Sequence, residues 1–290
     1  MEFDIKEYIN LIKEYKFDEA DAYRLSNVPN KVYKFIYLSE SQEYEENDNY
    51  EKLNDIKINS IQEKLFWLST YERLNDPFEL KTLYIDESII KKYNYPINII
   101  ENIQHQYLNG FLIACFTINN VSSSMPMWAH YANNHRGFYV EYRINKPDFF
   151  YPISYESERA PANMLYMNTI SLIMKNIKLK LTDIEKQKLD LYSYLLFHNS
   201  TIKHKSWEYE NEWRLLFPKF LVKKSIKVNE GISIPMSVLG IEPTGIYLGM
   251  CCEELHSKKL KKMANKLGID IYRMNFNSLV DEYLLSYSKV

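Results

Sequence analysis

At 290 residues the chain is long for one domain and short for two full ones, and no Pro-, Gly- or Ser-rich linker interrupts it. Basic and acidic totals nearly cancel to a net charge of -2, which argues against a generic polyanion binder and against nonspecific duplex DNA binding. Three cysteines, Cys115 and the adjacent Cys251 and Cys252, make no disulfide framework, the opening MEFDIKEYIN lacks the apolar core of a signal peptide, and the longest apolar run falls far short of a membrane span; these features predict a cytoplasmic protein with no membrane partner.

Residues 3–20 space Phe3, Ile5, Tyr8, Ile9, Ile12 and Tyr15 as a helix does, so residues 1–30 read as a helical N-terminal extension. Residues 31–290 read as a single α+β domain with a mixed, mostly antiparallel central sheet flanked by helices. Val32–Leu38 is the first expected strand. Glu43–Asp48 is an acidic loop, and Lys52–Lys64 a helix leading into the apolar strand Leu65–Ser69. Asn75-Asp76-Pro77 forces a turn, because the ring of Pro77 disfavours helix at the residue before it. Ile89–Leu108 reads as helix with a break near Pro96, Phe111–Ile118 as a buried strand, and Met125–Asn134 as a short helix. That helix ends at His135-Arg136-Gly137, with Gly137 suited to a left-handed capping position. Phe138–Ile144 alternates as a half-buried strand, and Phe150–Tyr155 reads as its partner. Ala160–Ser200 is mostly helix with a polar interruption at Thr182-Asp183. Glu212–Pro218 and Ile232–Pro235 are strands, and the chain closes as strand, helix and strand over Gly245–Met250, Glu253–Leu267 and Ile269–Phe276.

Several chemistries are excluded by what is missing. Gly240-x-x-x-x-Gly245 runs into Ile246 and Tyr247 rather than Lys-Ser/Thr, so there is no P-loop, and neither G-x-G-x-x-G nor G-x-S-x-G occurs. No H-E-x-x-H or paired C-x-x-C is present, and no metal is predicted. Cys115 sits in an apolar strand, where a cysteine is usually an inert small hydrophobe rather than a nucleophile for His130.

Three clusters concentrate polar and aromatic groups. Asn75-Asp76-Pro77-Phe78-Glu79 is either a rigid corner or a site wall. In the second, Trp128, Tyr131 and Ala132 share a helix face, while His130, His135, Arg136 and Glu141 supply ionisable groups nearby, with His135 favoured as a cation at the helix end. The bland reading there is a packed helix; the sharper one is a pocket for a planar ligand. In the third, His204 to Arg214, a strand beginning near Glu210 points Glu210, Glu212 and Arg214 to one face and Trp213 and Leu215 to the other. This is either an ion pair on a solvated sheet edge or a carboxylate placed to stabilise developing positive charge.

Taken in order, Val32-Tyr33-Lys34-Phe35, Leu65–Ser69 with Asn75–Glu79, Ala114-Cys115-Phe116, Met127–Ala132, His135-x-Gly137-Phe138-x-Val140-Glu141-Tyr142 and Lys205-x-Trp207-x-Tyr209-Glu210-x-Glu212-Trp213-Arg214 resemble a bacterial family designated domain of unknown function 2971. The chain departs from it at Phe35-Ile36, where the resemblance implies an aromatic followed by Arg. Glu210-Asn211-Glu212 entering a strand is also similar to the Glu-x-Glu of ADP-ribosyltransferases, with Lys34 and Ser69-Thr70 standing where those enzymes carry Arg or His and Ser-Thr-Ser. That likeness implies NAD as substrate, transfer or hydrolysis of ADP-ribose, an unknown macromolecular acceptor and a role as toxin or defence effector. It implies Glu212 as the catalytic carboxylate and Glu210 as the group orienting the acceptor. Trp128, Tyr131 or Tyr142 would stack on nicotinamide, His130, His135 and Arg136 would hold the pyrophosphate, and Lys34 and Ser69 would complete the cofactor site. Two other readings stand beside it. One is a nucleotide- or protein-binding module without turnover, in which Glu210 and Glu212 pair with Lys205 and Arg214; the other is a metal-independent nuclease-type toxin using His130 or His135 with Asp76.

Overall fold

The computed structural model describes residues 3–45, 49–94, 96–223, 225–278, 281 and 283–290. Part of the acidic loop expected at Glu43–Asp48 therefore lies outside the described residues. In chain order the elements begin with helices α1 (Ile5–Lys13) and α2 (Phe17–Asn27), β1 (Lys31–Ile36), α3 (Asn49–Gln62), β2 (Leu65–Ser69) and the short β3 (Leu83–Tyr84). Next come α4 (Glu87–Lys92), α5 (Ile97–Asn109), β4 (Phe111–Thr117), α6 (Met125–Tyr131), β5 (Phe138–Ile144), β6 (Phe150–Pro152), β7 (Ser154–Glu156) and β8 (Ala160–Pro161). The chain continues through α7 (Asn163–Lys178), α8 (Asp183–His198), β9 (Ile202–His204), β10 (Glu212–Pro218), β11 (Gly231–Pro235), α9 (Met236–Leu239), β12 (Ile241–Leu248), α10 (Glu254–Leu267), β13 (Asp270–Phe276) and β14 (Leu285–Lys289). The α+β class and the mostly antiparallel sheet are as expected from the sequence.

The main sheet runs β11-β2-β4-β1-β5-β12-β13-β14, with β10 joined to β4 and carrying β6 on its far side. Among the described residues only β12 and β13 in it run parallel, and α10 makes the crossover between them. β10 lies along β4 for the whole strand, from Glu212↔Thr117 to Pro218↔Phe111. The other edge of β4 is divided. β1 meets it at Tyr33↔Thr117, β2 meets it at Ser69↔Ile113, and Ala114–Phe116 between them face a gap.

Strand alternation decides what covers each face. Leu112, Ala114 and Phe116 of β4, with Trp213, Leu215 and Phe217 of β10, join the main core beneath Ile58 and Ile61 of α3 and Leu260 and Met263 of α10. On the opposite face, Phe35, Tyr139 and Met274 pack under Met127 and Trp128 of α6. The strand β5 is thus covered on both faces over Phe138–Val140 and half-buried only beyond.

Several expectations from the sequence are corrected. The helix over residues 3–20 is two helices, split where Tyr15 adopts a left-handed φ of 63°. The guanidinium of Arg24 in α2 reaches the carbonyl of Phe150 at 2.8 Å and sits 4.2 Å above the Tyr151 ring, so the N-terminal helices dock on β6. β6 pairs with β10 rather than β5, and Ser154–Glu156 forms a separate strand with β9; the Ile153 amide still donates to the Glu212 carbonyl at 3.2 Å, so the chain leaves the main sheet only after it. The polar interruption at Thr182 is a capping box: its side chain accepts from the Glu185 backbone, and Glu185 reaches back.

Gly137 is also not the left-handed residue after α6. Asn133, Asn134 and His135 take that conformation, with φ of 47°, 49° and 67°. Asparagine tolerates it best among residues with a side chain. Gly137 is required for close approach instead, since a Cβ there would lie 2.1 Å from the Ile36 carbonyl oxygen. A Cβ on Gly249, whose amide donates to the Gly137 carbonyl at 2.9 Å, would lie 2.0 Å from the His135 carbonyl oxygen. Gly137→Ala is expected to lower stability by about 1–3 kcal/mol in urea denaturation, as backbone has to shift to admit the methyl. Gly245→Ala, whose Cβ would come no nearer than 3.6 Å to any neighbour, is the matched control and is expected to change stability by less than about 0.5 kcal/mol.

Candidate active site

The gap in the sheet opens into a cleft of about 770 Å³. Its walls come from β1 (Lys34, Phe35), β2 (Phe66, Trp67, Ser69), the open edge of β4 (Ala114, Cys115, Phe116) and α3 (Leu53, Ile56, Lys57). Such a volume suits a ligand of cofactor size, and mostly apolar walls with a few fixed polar groups are what binding sites of this kind provide. Lys34 donates to the Cys115 carbonyl at 3.1 Å, supplying the bond that a neighbouring strand would have made. Its ammonium also lies 5.8 Å from the centre of the Phe116 ring.

At the floor lies a buried charge network built from four segments. β10 begins immediately after Asn211, whose left-handed φ of 45° turns the chain out of a 3-10 helix over Lys205–Glu210. Glu212 and Arg214 then share the face of the sheet that carries Cys115 and Ile113, as their strand register requires. Lys203, the central residue of β9, sits among three carboxylates: its Nζ is 2.6 Å from Glu210, 3.1 Å from Glu212 and 3.8 Å from Glu79. Arg214, with 0% exposure, places Nε 2.8 Å from Glu212 and Nη2 2.7 Å from Glu79, and donates through Nη1 to the Ser200 carbonyl at 2.8 Å. The remaining oxygen of Glu210 accepts from the Tyr131 hydroxyl, which in turn accepts from Asn75 at 2.8 Å. Trp207 covers the ammonium of Lys203 at 4.9 Å.

The balance of burial and pairing sets each group's proton affinity. Burial alone would raise Glu212, but Arg214 and then Lys203 overcome it and hold the carboxyl down to about 2. For Glu79 burial wins over the pull of Arg214, with Glu212 adding repulsion, and its carboxyl is pushed up. Three carboxylates face two cations, and the excess falls on Glu79. Burial opposes the charge on Lys203, but Glu212 leads the groups that raise its affinity for the proton, so it stays an ammonium and is no base. Burial, then the charge of Glu212, pushes the Cys115 thiol up, which removes it as a nucleophile. Tyr131 is pushed up by burial first and by Glu210 second, so its hydroxyl remains a donor.

The three sequence clusters therefore meet: Asn75 and Glu79, Tyr131, and Glu210 with Glu212 and Arg214 form one connected network. Lys34, Ser69, Tyr131, Tyr142, Glu210 and Glu212 line the cleft, whereas Trp128, His130, His135 and Arg136 do not. Trp128 is core, its indole N–H donating to the Val121 carbonyl at 3.1 Å. His130 bonds the Tyr209 hydroxyl, and Arg136 pairs with Glu40. His135 stacks on Trp128 at 5.6 Å, where burial lowers its proton affinity, contrary to the cation expected from the helix end. Asp76 closes its own turn by accepting from the Phe78 amide at 2.9 Å, so neither it nor the histidines face the cleft as a nuclease site would need.

Two details of the third cluster also change. The Glu212–Arg214 pair lies not on a solvated edge but under cover between β4 and β6, and the lysine that joins it is Lys203 rather than the exposed Lys205. Lys203 carries no motif. The available signal was its place between apolar Ile202 and exposed His204 in a strand of three residues, too short for a period to show.

Comparison with known proteins adds one finding. No curated protein and no solved structure matches the chain. Residues 127–215, the stretch that supplies Tyr131, Lys203, Glu210, Glu212 and Arg214, match the family model described as "Protein of unknown function (DUF2971)".

Proposed function

We propose that the chain is an ADP-ribosyltransferase-like enzyme that cleaves the nicotinamide–ribose bond of NAD, passing ADP-ribose to a macromolecular acceptor or to water. The observation that carries this reading is that Lys34, Ser69, Glu210 and Glu212, from three distant parts of the chain, line one cleft. In such a reaction the bond between ribose C1′ and the nicotinamide ring nitrogen breaks. The electron pair leaves with nicotinamide, positive charge develops on the ribose, and the acceptor attacks C1′ and releases its proton. A preorganised carboxylate beside the ribose stabilises that charge. Phe116 and Tyr142, whose rings meet edge to face at 5.9 Å, back the cleft wall from the core, and the accessible aromatic surface for a planar ring is Trp67, 51% exposed.

Between the two glutamates, the surroundings favour Glu210 as the charge-stabilising group, exchanging the roles implied by the sequence. Both oxygens of Glu212 are held by cations, Arg214 on one and Lys203 on the other, which leaves little charge to lend. Glu210 shares Lys203 on one oxygen and meets a neutral phenol on the other. A binding module without turnover is the second reading, and the double clamp on Glu212 is what favours it.

The test is release of nicotinamide from NAD by purified protein. Wild type is expected to release it, and Glu210→Gln to do so about 10²–10³-fold more slowly with an unchanged melting curve. The amide can turn its oxygen to Lys203 and its N–H to the Tyr131 oxygen, so the fold survives. Binding of NAD with no release by the wild type, whether alone or with cell lysate added as a source of acceptor, would establish the binding module and remove the enzyme reading. Glu212→Gln is expected to behave differently. Its single acceptor cannot serve Arg214 and Lys203 together, and the misplaced amide N–H meets a buried cation. A loss of about 3–5 kcal/mol in denaturant unfolding is the expected outcome.

A further inference from the structure

Away from the cleft, the α7–α8 hairpin carries an apolar surface that the fold does not use. The first half of α7 is buried through Tyr166, Met167 and Ile170, which pack with Ile100 of α5. Beyond Ile170 the character changes. Met174 and Ile177 of α7, Leu179 after it and Ile184 in the first turn of α8 are exposed, with Ile177 at 73%, Ile184 at 67% and Leu179 at 64%. The tip that presents them is built rather than loose: the Thr182 capping box starts α8, Lys175 pairs with Glu185 across the hairpin at 2.5 Å, and Lys186 pairs with Asp183 at 2.8 Å.

Charge is also uneven there. Lys175, Lys178, Lys180, Lys186 and Lys188 face only Asp183 and Glu185 over the same stretch, in a chain whose net charge is -2. A locally basic, apolar tip on a slightly acidic protein identifies its partner by complementarity.

We propose that the tip of the α7–α8 hairpin docks on an anionic membrane surface, with Ile177, Leu179 and Ile184 entering the headgroup layer and the lysines meeting lipid phosphates. Lysine stems lie along apolar surface while their ammonium groups stay at the polar boundary, so Ile and Leu interleaved with Lys suits a lipid interface. Protein interfaces are instead depleted in Lys and enriched in aromatics and Arg, and residues 173–188 contain neither Phe, Tyr, Trp nor Arg. A second copy of the chain is disfavoured because two such tips repel. The contact is peripheral: among the described residues no helix is long and apolar enough to cross a membrane. The expectation of no membrane partner rested on the absence of a spanning run, which a surface contact does not need.

Co-sedimentation with phosphatidylcholine vesicles, alone or with about one-third phosphatidylserine, tests the assignment. Wild type is expected to bind the anionic vesicles at least about tenfold more tightly than the neutral ones, and less as salt rises. The surface variant I177S/L179S/I184S and the charge reversal K178E/K180E are each expected to lose about tenfold in binding while melting as the wild type does. Equal binding to both vesicle types, no binding by folded wild type, or unchanged binding by the serine variant would overturn the proposal. So would light scattering that finds a wild-type dimer made monomeric by the serine substitutions, which assigns the tip to a second copy. None of these outcomes bears on NAD cleavage, which both variants are expected to retain.

Discussion

A β-strand has two edges, and the way β4 divides its edges determines most of what the rest of the molecule does. One edge is given wholly to β10, in register from Glu212↔Thr117 to Pro218↔Phe111. The other is shared between Tyr33 of β1 and Ser69 at the end of β2, with nothing paired across Ala114–Phe116 among the described residues. An open stretch of strand inside a protein leaves backbone groups to be satisfied and space to be filled. Lys34 meets the first need at the Cys115 carbonyl, and the cleft is the space. The gap places the polar face of β10 within reach of that space, while the apolar face of the same two strands closes the main core.

The polar face carries an unusual density of buried charge. Removing ions from water is costly, and only good geometry and further hydrogen bonds offset that cost. Here each cation contacts at least two acceptors, and Glu210 and Glu212 have a donor on each oxygen. Groups so held reorganise little, which is what electrostatic stabilisation of a short-lived charge requires. The same arrangement clamps Glu212 between two cations and Glu210 between a cation and a phenol, so the two glutamates of the Glu-x-Glu differ in surroundings as well as in position.

Much of this was legible in the residues. The strands Leu65–Ser69, Phe138–Ile144 and Glu212–Pro218 were evident from alternation or apolar runs, and their limits match the structure. Clusters around Asn75, Tyr131 and Glu210 stood out by composition, and they do converge. What was hidden has physical causes. β9 has three residues and β3 and β8 two each, too few to show a period, and so the sequence carries no mark of Lys203. Density of aromatic and ionisable groups does not separate Trp128, in the core, and the half-buried His135 stacked on it from Tyr131, which reaches the cleft, because face assignment depends on the left-handed bend at Asn133–His135. Phe150–Tyr155 reads as the partner of Phe138–Ile144, but β10, about sixty residues later in the chain, inserts beside Phe150–Pro152, and local sequence carries no record of such non-local pairing.

The interlocked charges have a consequence for how such a sequence can change over time. Lys203, Glu210, Glu212 and Arg214 lie close together in the chain and Glu79 far from them, and each is paired with at least one of the others. With three carboxylates against two cations, loss of Lys203 or Arg214 leaves buried carboxylates unpaired whereas an amide at Glu210 does not, so the effect of a substitution at one position depends on the residues present at the other four. The five positions are therefore coupled in inheritance: replacement of either cation is tolerated only together with changes among the carboxylates it serves.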